Sequence, residues 1–168
     1  MFKELNVYNL DKNAFQMIGK DWFLICAGDE KSSNCMTASW GQMGVMWNKP
    51  VFTCVIRPQR YTFEFVEKND IVAICFFDDV YRASLTFCGR NSGRDVDKLD
   101  VTGFEPIYDS GAVYYKQARL VLICRKIYVN DIKEEKFLDK NICESAYPNK
   151  DYHRSYTLEV LKVLKNED

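Results

Sequence analysis

The sequence lacks the features that mark several large functional classes. Its 23 lysines and arginines are interspersed with 24 aspartates and glutamates, so it has no basic stripe of the kind that binds nucleic acid. No apolar run approaches the roughly 20 residues of a membrane span, and the opening MFKELNVYNLDKN has no apolar core of a signal peptide. We therefore expect a cytoplasmic protein that binds neither nucleic acid nor membranes.

Metal and dinucleotide motifs are missing as well. A single histidine and the absence of any C-x-x-C pair argue against zinc, and we expect no bound metal. Without a G-x-G-x-x-G motif, a Rossmann domain is not expected. The seven cysteines are odd in number and lie mostly within apolar runs such as FLICAG and VAICFF. They are predicted to be free thiols in the core rather than a disulfide framework.

Short apolar segments that resemble strands recur along the chain. Examples are 21–28, 51–56, 71–77 and 113–132, with only short helical stretches between them. No repeat, low-complexity tract or linker divides the chain, so residues 1–168 are predicted to form one domain. Many short strands and few long helices predict a mostly β fold, an antiparallel barrel with small helices packed around it.

The chain between positions 34 and 70 is the richest in residues suited to binding a ligand. Asn34, Thr37 and Ser39 alternate with apolar neighbours, which predicts a half-buried strand with one polar face. The alternating neighbours are Met36, Ala38 and Trp40. Gly41 and Gly44 are then predicted to open a loop.

A pair of arginines follows the strand-like segment 51–56, in Arg57-Pro58-Gln59-Arg60-Tyr61-Thr62. Because proline suits the start of a helix, the strand is predicted to turn into a helix here. Arg57, Arg60 and the Thr62 hydroxyl would then lie near the exposed N–H groups of the helix, an arrangement suited to phosphate. The alternative is structural, with Arg60 paired to Glu64 and Arg57 solvated.

Together these features match the requirements of flavin mononucleotide (FMN). Its flat ring needs apolar surface, its polar ring edge needs hydrogen-bond partners, and its phosphate needs positive charge. A later stretch, 88–98, adds two glycines and the charges of Arg90, Arg94 and Lys98, although such a stretch can also be a solvated polar loop. The sequence thus predicts an FMN-binding site.

Three blocks of the sequence resemble the flavin reductase-like domain family, the FMN-binding split barrels that include flavoredoxin. In family order, they are NCMTASWGQMGVMWNKPVFTCVIRPQRYTFEFVEKND, CGRNSGRDVDKLD and DYHRSYTLEV, and together they span nearly the whole chain. The resemblance implies an FMN-binding split β-barrel. It also implies a homodimer whose sites lie near the subunit interface.

The resemblance also assigns roles to individual residues. It places the backbone at Cys88 and Gly89 near the flavin ring and Lys98 near the phosphate end. His153 would lie beside the open flavin face, where it would shape the nicotinamide pocket or assist a proton transfer; the alternative is a structural histidine. The predicted FMN-binding residues are Asn34, Met36, Thr37, Ala38, Ser39, Trp40, Arg57, Arg60, Tyr61, Thr62, Cys88, Gly89 and Lys98.

These inferences predict an FMN-binding oxidoreductase, specifically an NAD(P)H-dependent flavin reductase. NAD(P)H would dock only transiently, since no dedicated dinucleotide domain is expected. The alternative is a flavoredoxin-type electron-transfer protein with FMN held tightly and reduced by a protein partner. A third alternative is a split-barrel module that binds a ligand without redox chemistry.

Overall fold

The computed structural model describes residues 1–167, in which ten β-strands are interspersed with short helices. The strands are β1 (Phe2–Leu5), β2 (Phe23–Gly28), β3 (Ser33–Ala38), β4 (Gly41–Met46), β5 (Lys49–Ile56), β6 (Ile71–Phe76), β7 (Pro106–Asp109), β8 (Ala112–Tyr115), β9 (Leu120–Asp131) and β10 (Arg154–Asn166). The α-helices are α1 (Ala14–Gln16), α2 (Tyr61–Lys68), α3 (Arg82–Arg90), α4 (Lys98–Thr102) and α5 (Lys140–Ala146). The prediction of a mostly β chain with small helices is confirmed.

Eight strands form one antiparallel sheet. Seven follow the order β3-β2-β6-β9-β10-β5-β4, and β1 pairs with β10 outside this path. The remaining strands, β7 and β8, form a separate hairpin. No helix within residues 1–167 is both long and apolar enough to span a bilayer.

Strand alternation divides the interior into two hydrophobic cores. In β2, Phe23 and Ile25 point into the first core, with Phe52 of β5, whereas Leu24 and Cys26 point into the second. The second core also holds residues of α3, β8 and β9. Because both faces of β2 are covered, all six of its residues are buried, which explains why its sequence is apolar throughout.

Six of the seven cysteines lie in these two cores, and Cys143 is buried on α5 outside them. All seven are free and buried, as predicted for thiols that pack as small apolar groups. Two pairs come close in the second core, with sulfur–sulfur distances of 3.8 Å for Cys26 and Cys75 and 4.0 Å for Cys35 and Cys88. Burial raises the pKa of Cys26 well above its ordinary value, as expected for a thiol that packs as a small apolar group.

The predicted loop at Gly41 and Gly44 is wrong. Both glycines belong to β4, which pairs with β5 through the two-residue turn Trp47-Asn48. The two turn residues have φ angles of 53° and 56°, the left-handed conformation that a tight hairpin turn requires. Tryptophan is not a residue typical of such a turn, so the sequence pattern did not reveal this hairpin.

Candidate functional site

Three hollows adjoin where β3, the start of α2 and the end of α3 meet. The His153 hollow, about 200 Å³, is lined by Met36, Thr37, Ala38, Ser39, Trp40, Val55, Arg57, Arg60 and His153. The Lys98 hollow, about 160 Å³, is lined by Asn34, Gln59, Arg60, Tyr61, Thr62, Gly89, Arg90, Asn91, Ser92 and Lys98. The Leu85 hollow, about 220 Å³, is lined by Trp22, Thr37, Ala38, Ser39, Leu85, Thr86, Gly89 and Arg90.

Shared residues connect the three hollows. Arg60 lines both the His153 and Lys98 hollows, and Gly89 lines both the Lys98 and Leu85 hollows. Every residue predicted to bind FMN, with the exception of Cys88, lines at least one of them. Folding therefore brings the predicted residues of three separate sequence blocks into one neighbourhood.

Cys88 lies in α3, which extends to Arg90, and the role predicted for it concerns its backbone. Its side chain is fully buried in the second core, and only its carbonyl takes part in the site, accepting a hydrogen bond from Lys98. The next residue, Gly89, faces β3, where a Cβ atom would lie 3.3 Å from Cβ of Thr37. The glycine thus lets helix and strand approach closely, in a helix rather than in the predicted polar loop.

The Lys98 hollow is rich in positive charge. Arg60, Arg90 and Lys98 line it, and none of its lining residues is a carboxylate. Neither arginine forms an ion pair within residues 1–167. The alternative pairing of Arg60 with Glu64 is not formed, because Glu64 pairs with Arg94. This hollow has the electrostatic character of an anion site.

Arg60 is half-buried at the position before the first residue of α2. Burial lowers its pKa, and the nearby positive charge of Arg57 lowers it further. No side chain caps this end of α2, so its first N–H groups are without the usual side-chain acceptor. An anion placed here would offset the cost of burying the Arg60 charge and accept from the helix N-terminus.

Lys98 is the first residue of α4, and its side chain links β3 to α3. Its ammonium is buried and donates to the carbonyls of Cys35, at 2.6 Å, and Cys88, at 3.1 Å. Burial lowers its pKa. Because an ammonium has three N–H donors, one donor remains for a ligand in the hollow that Lys98 lines.

Asn34 and Thr62 form the polar wall between β3 and α2. Asn34 Nδ2 donates to Thr62 Oγ1 at 2.8 Å, and both side chains are buried. Gly93 packs against this pair, since a Cβ atom there would lie 2.3 Å from Asn34 Oδ1. The loop before α4 thus approaches the site closely only because position 93 lacks a side chain.

His153 lies just before β10 and is 9% exposed. Its Nδ1 shares a hydrogen bond of 2.8 Å with the Tyr147 hydroxyl, and its ring centroid lies 5.3 Å from that of Trp40. Burial, followed by the charge of Arg57, lowers the pKa of His153 to about 4. The imidazole is therefore neutral at pH 7, when it can form hydrogen bonds without carrying charge.

Arg57 is positioned differently from Arg60. It lines the His153 hollow but not the Lys98 hollow, and its guanidinium forms an ion pair with Asp151. It also donates to the Ala146 carbonyl at 2.9 Å and lies 5.2 Å from the centre of the Tyr147 ring. The two arginines thus share the His153 hollow, but only Arg60 also lines the Lys98 hollow.

Several residues near the site were not named as ligand-binding residues from the sequence. Asn91 and Ser92 line the Lys98 hollow, and Asp151 and Tyr147 hold Arg57 and His153. In the sequence, Arg90 is one of three positive charges in the polar stretch 88–98. The sequence signal was weak because Asp151 lies in a segment that has only turn-forming composition, 94 residues from its partner Arg57.

The chain is similar to a known protein family and to several solved structures. The model of the flavin reductase like domain matches residues 17–163. Flavoredoxin from Methanosarcina acetivorans is 21% identical, with 88% of this chain and 69% of that chain covered and a TM-score of 0.67. An FMN-binding domain of a flavin reductases-like enzyme from Shewanella baltica is 18% identical, with 98% and 77% covered and a TM-score of 0.70.

A third similar structure is the NADH:FAD oxidoreductase SgcE6 of Streptomyces globisporus. It is 14% identical, with 87% of this chain and 75% of that chain covered and a TM-score of 0.65. No curated protein matches the chain significantly in sequence. The structural matches confirm the predicted split-barrel fold.

Proposed function

The chain belongs to the flavin reductase-like domain family, and on that premise we propose that it binds FMN and acts as an NAD(P)H-dependent flavin reductase. One observation carries the proposal. The unpaired charges of Arg60 and Arg90 and the buried ammonium of Lys98 converge on one hollow, beside another that is walled by Trp40 and His153.

The residues of the Lys98 hollow fit the phosphate of FMN. Arg60 would pair with the phosphate, the third N–H of Lys98 would donate to it, and the N-terminus of α2 would add its backbone donors. Gly89 and Gly93 leave the space that side chains at these positions would fill. Positive charge without any lining carboxylate is the arrangement that a dianion requires.

The polar segment Thr37 to Ser39, shared by the His153 and Leu85 hollows, is proposed to hold the flavin ring. A bound flavin would supply the hydride and electron transfer, while the protein binds and orients. Trp40, which is 49% exposed, and the neutral His153 would form the wall on which a nicotinamide docks. The pKa of about 4 makes His153 a hydrogen-bonding wall of this pocket rather than a proton source at neutral pH.

The second candidate is a flavoredoxin-type electron carrier that a protein partner reduces. The exposed surface of Trp40 favours it, because an aromatic ring at the mouth of the site would also suit a docked redox protein. Flavoredoxin from Methanosarcina acetivorans has the same fold. The two candidates share the FMN site and differ in the electron donor.

We further propose a homodimer in the cytoplasm. The edge strand β4 and its turn expose Val45, Met46 and Trp47, an apolar strip that a second copy would cover. The seven free thiols favour a reducing compartment. Neither proposal changes the assignment of the flavin site.

The visible absorption spectrum of the purified protein tests the function directly. We expect added FMN to show a perturbed flavin spectrum, and NADH or NADPH to bleach it. A flavin spectrum that persists with both nicotinamides but bleaches with a reduced redox protein would favour the electron carrier. An unperturbed spectrum with excess FMN would contradict the site itself.

A further inference from the structure

A larger cleft extends from the Lys98 hollow on the side opposite the flavin-ring region. This Tyr108 cleft has a volume of about 500 Å³ and lies between the β2–β3 turn, α2 and the loop before α4. It shares Asn34, Tyr61 and Lys98 with the Lys98 hollow. A phosphate alone does not need such a volume, which lies within the roughly 300–1,000 Å³ typical of small-molecule sites.

The cavities are arranged in a row, with the Lys98 hollow between the Tyr108 cleft and the other two hollows. The Tyr108 cleft shares no lining residue with the His153 hollow or with the Leu85 hollow. Its connection to them runs through the Lys98 hollow. If the Lys98 hollow holds the flavin phosphate, then only a group attached to that phosphate, on the side away from the ring, enters the Tyr108 cleft.

The chemistry of the cleft suits a nucleoside. Tyr108 is half-buried in the lining, and the flat guanidinium of Arg94 lies over the Tyr61 ring, 4.6 Å from its centroid, so a base could stack on Tyr108 or on Arg94. Glu30 and Asp95 lie at the rim, form no ion pair within residues 1–167 and can accept hydrogen bonds from ribose hydroxyls. The positive charge of Lys98, which lines both cavities, would lie close to two adjacent phosphates, while its one remaining N–H donates to the flavin phosphate.

We propose that the Tyr108 cleft binds the adenylate half of flavin adenine dinucleotide (FAD), so that this chain binds FAD more tightly than FMN. The inference rests on the proposed function, because it requires the flavin phosphate to occupy the Lys98 hollow. A nicotinamide dinucleotide docked at His153 fits the cleft less well. Its adenylate would have to cross the Lys98 hollow, where the flavin phosphate is proposed to lie.

The test compares the affinities of the flavin-free full chain for FMN and FAD, measured by quenching of flavin fluorescence. We expect FAD to bind at least fivefold more tightly than FMN. Two variants should remove this preference, Tyr108→Ala by removing aromatic surface and Val96→Trp by filling the cleft. Each should weaken FAD binding about fivefold or more, to the affinity of FMN, and change FMN binding less than twofold.

Matched control variants lie outside the cleft. Tyr8→Ala and Val101→Trp alter residues that are 71% and 59% exposed, and both should keep the preference for FAD. The FMN affinity of each variant also reports whether the shared site has folded.

Three results would contradict the inference, and they differ in whether they also contradict the proposed function. FAD binding no tighter than FMN binding would overturn it while leaving the FMN site intact. A preference for FAD that survives in both cleft variants would do the same. If neither flavin binds, the proposed function fails together with the inference.

Discussion

A half-buried arginine without an anion nearby carries an uncompensated desolvation cost, and Arg60 is such a residue. Truncation in Arg60→Ala should therefore leave the flavin-free protein as stable as before, or more stable, in urea unfolding. It should weaken FMN binding roughly 10- to 150-fold, because a hydrogen bond to a charged group contributes about 1.5–3 kcal/mol. Riboflavin, which has no phosphate, should bind both proteins equally.

Arg57→Ala is the matched comparison for Arg60→Ala. In the wild type, the Arg57 guanidinium already pairs with the Asp151 carboxylate, and Arg57 does not line the Lys98 hollow. The loss of FMN affinity should therefore be smaller than for Arg60→Ala, with FMN and riboflavin affected alike. An equal, phosphate-dependent loss in both variants would show that both arginines hold the phosphate, as the sequence analysis predicted.

The depressed pKa of His153 links stability to pH. The pKa is about 4 in the folded protein against an ordinary value of 6.5, so between these values the unfolded chain binds a proton that the folded chain does not. Stability is thus complete above pH 6.5 and is lost as the pH falls toward 4. At pH 5 the loss should be about 2 kcal/mol relative to neutral pH.

Urea unfolding at pH 7.5 and pH 5.0 measures this effect. The variant His153→Gln keeps a polar group beside Tyr147 but does not titrate in this range. Its loss of unfolding free energy between pH 7.5 and pH 5.0 should therefore be about 2 kcal/mol smaller than that of the wild type. Other groups titrate equally in both proteins and cancel in the comparison. An identical pH dependence for the two proteins would mean that His153 is not neutralised by burial.

At the scale of elements, the loop before α4 depends on its close approach to β3. In Gly93→Ala, the added Cβ would displace Asn34 Oδ1, which lies 2.3 Å from that position, and would break the hydrogen bond to Thr62. Losing this hydrogen bond should lower the free energy of unfolding by about 1 kcal/mol, and the displaced Asn34 side chain, which lines the Lys98 hollow, should also weaken FMN binding. Isothermal titration of FMN measures the change.

Gly44→Ala is the control for this substitution, because no atom lies within 4 Å of a Cβ atom at position 44. It should keep the wild-type affinity for FMN. If Gly93→Ala also keeps full affinity, then the Asn34–Thr62 pair does not contribute to binding.

The elements that the sequence predicted well are those whose pattern is local. Segments 21–28, 51–56 and 71–77 match β2, β5 and β6 because apolar residues fill both of their faces or alternate in step with the pleat. The helix beginning at Tyr61 was also predicted, from proline and helical spacing. Strand β4 was missed because its glycines and exposed residues give no such pattern and its pairing depends on β5.

The same division applies to the site. Residues 34–40 and 57–62 lie within one stretch of the sequence, on either side of β4 and β5, so composition alone indicated a polar, cationic region. The partners of Arg57 and His153 could not be deduced, since each pairing is fixed by where the segment before β10 packs. The burial of Lys98, and its hydrogen bonds to carbonyls rather than carboxylates, likewise depend on tertiary packing.

At the scale of the whole molecule, the sheet ends in an uncovered strand. Among residues 1–167, β4 pairs only with β5, and Val45, Met46 and Trp47 are exposed at this edge. The ring centroid of Tyr128 lies 5.8 Å from that of Trp47. Proteins normally protect such edges with charge, proline or a partner, because an apolar edge promotes association. Residues 41–47 include no charged residue and no proline. A second copy of the chain is the partner that the proposed homodimer supplies.

Val45→Glu tests the dimer at this edge. Val45 is 63% exposed in the single chain, so the substitution should not affect folding, but in a dimer it would place an unpaired carboxylate in an apolar interface. Association should weaken at least tenfold, about 1.4 kcal/mol. Sedimentation equilibrium should give twice the mass of a single chain for the wild type and the mass of one chain for the variant.

Val80→Glu is the matched control, since Val80 is 81% exposed and lies on the turn before α3, away from β4. It should remain dimeric. If the sites also lie near the interface, monomeric Val45→Glu should bind FMN less tightly than Val80→Glu, because Trp40, which lines the His153 hollow, lies directly before β4. A monomeric wild type at every concentration would show that the apolar strip on β4 serves something other than self-association.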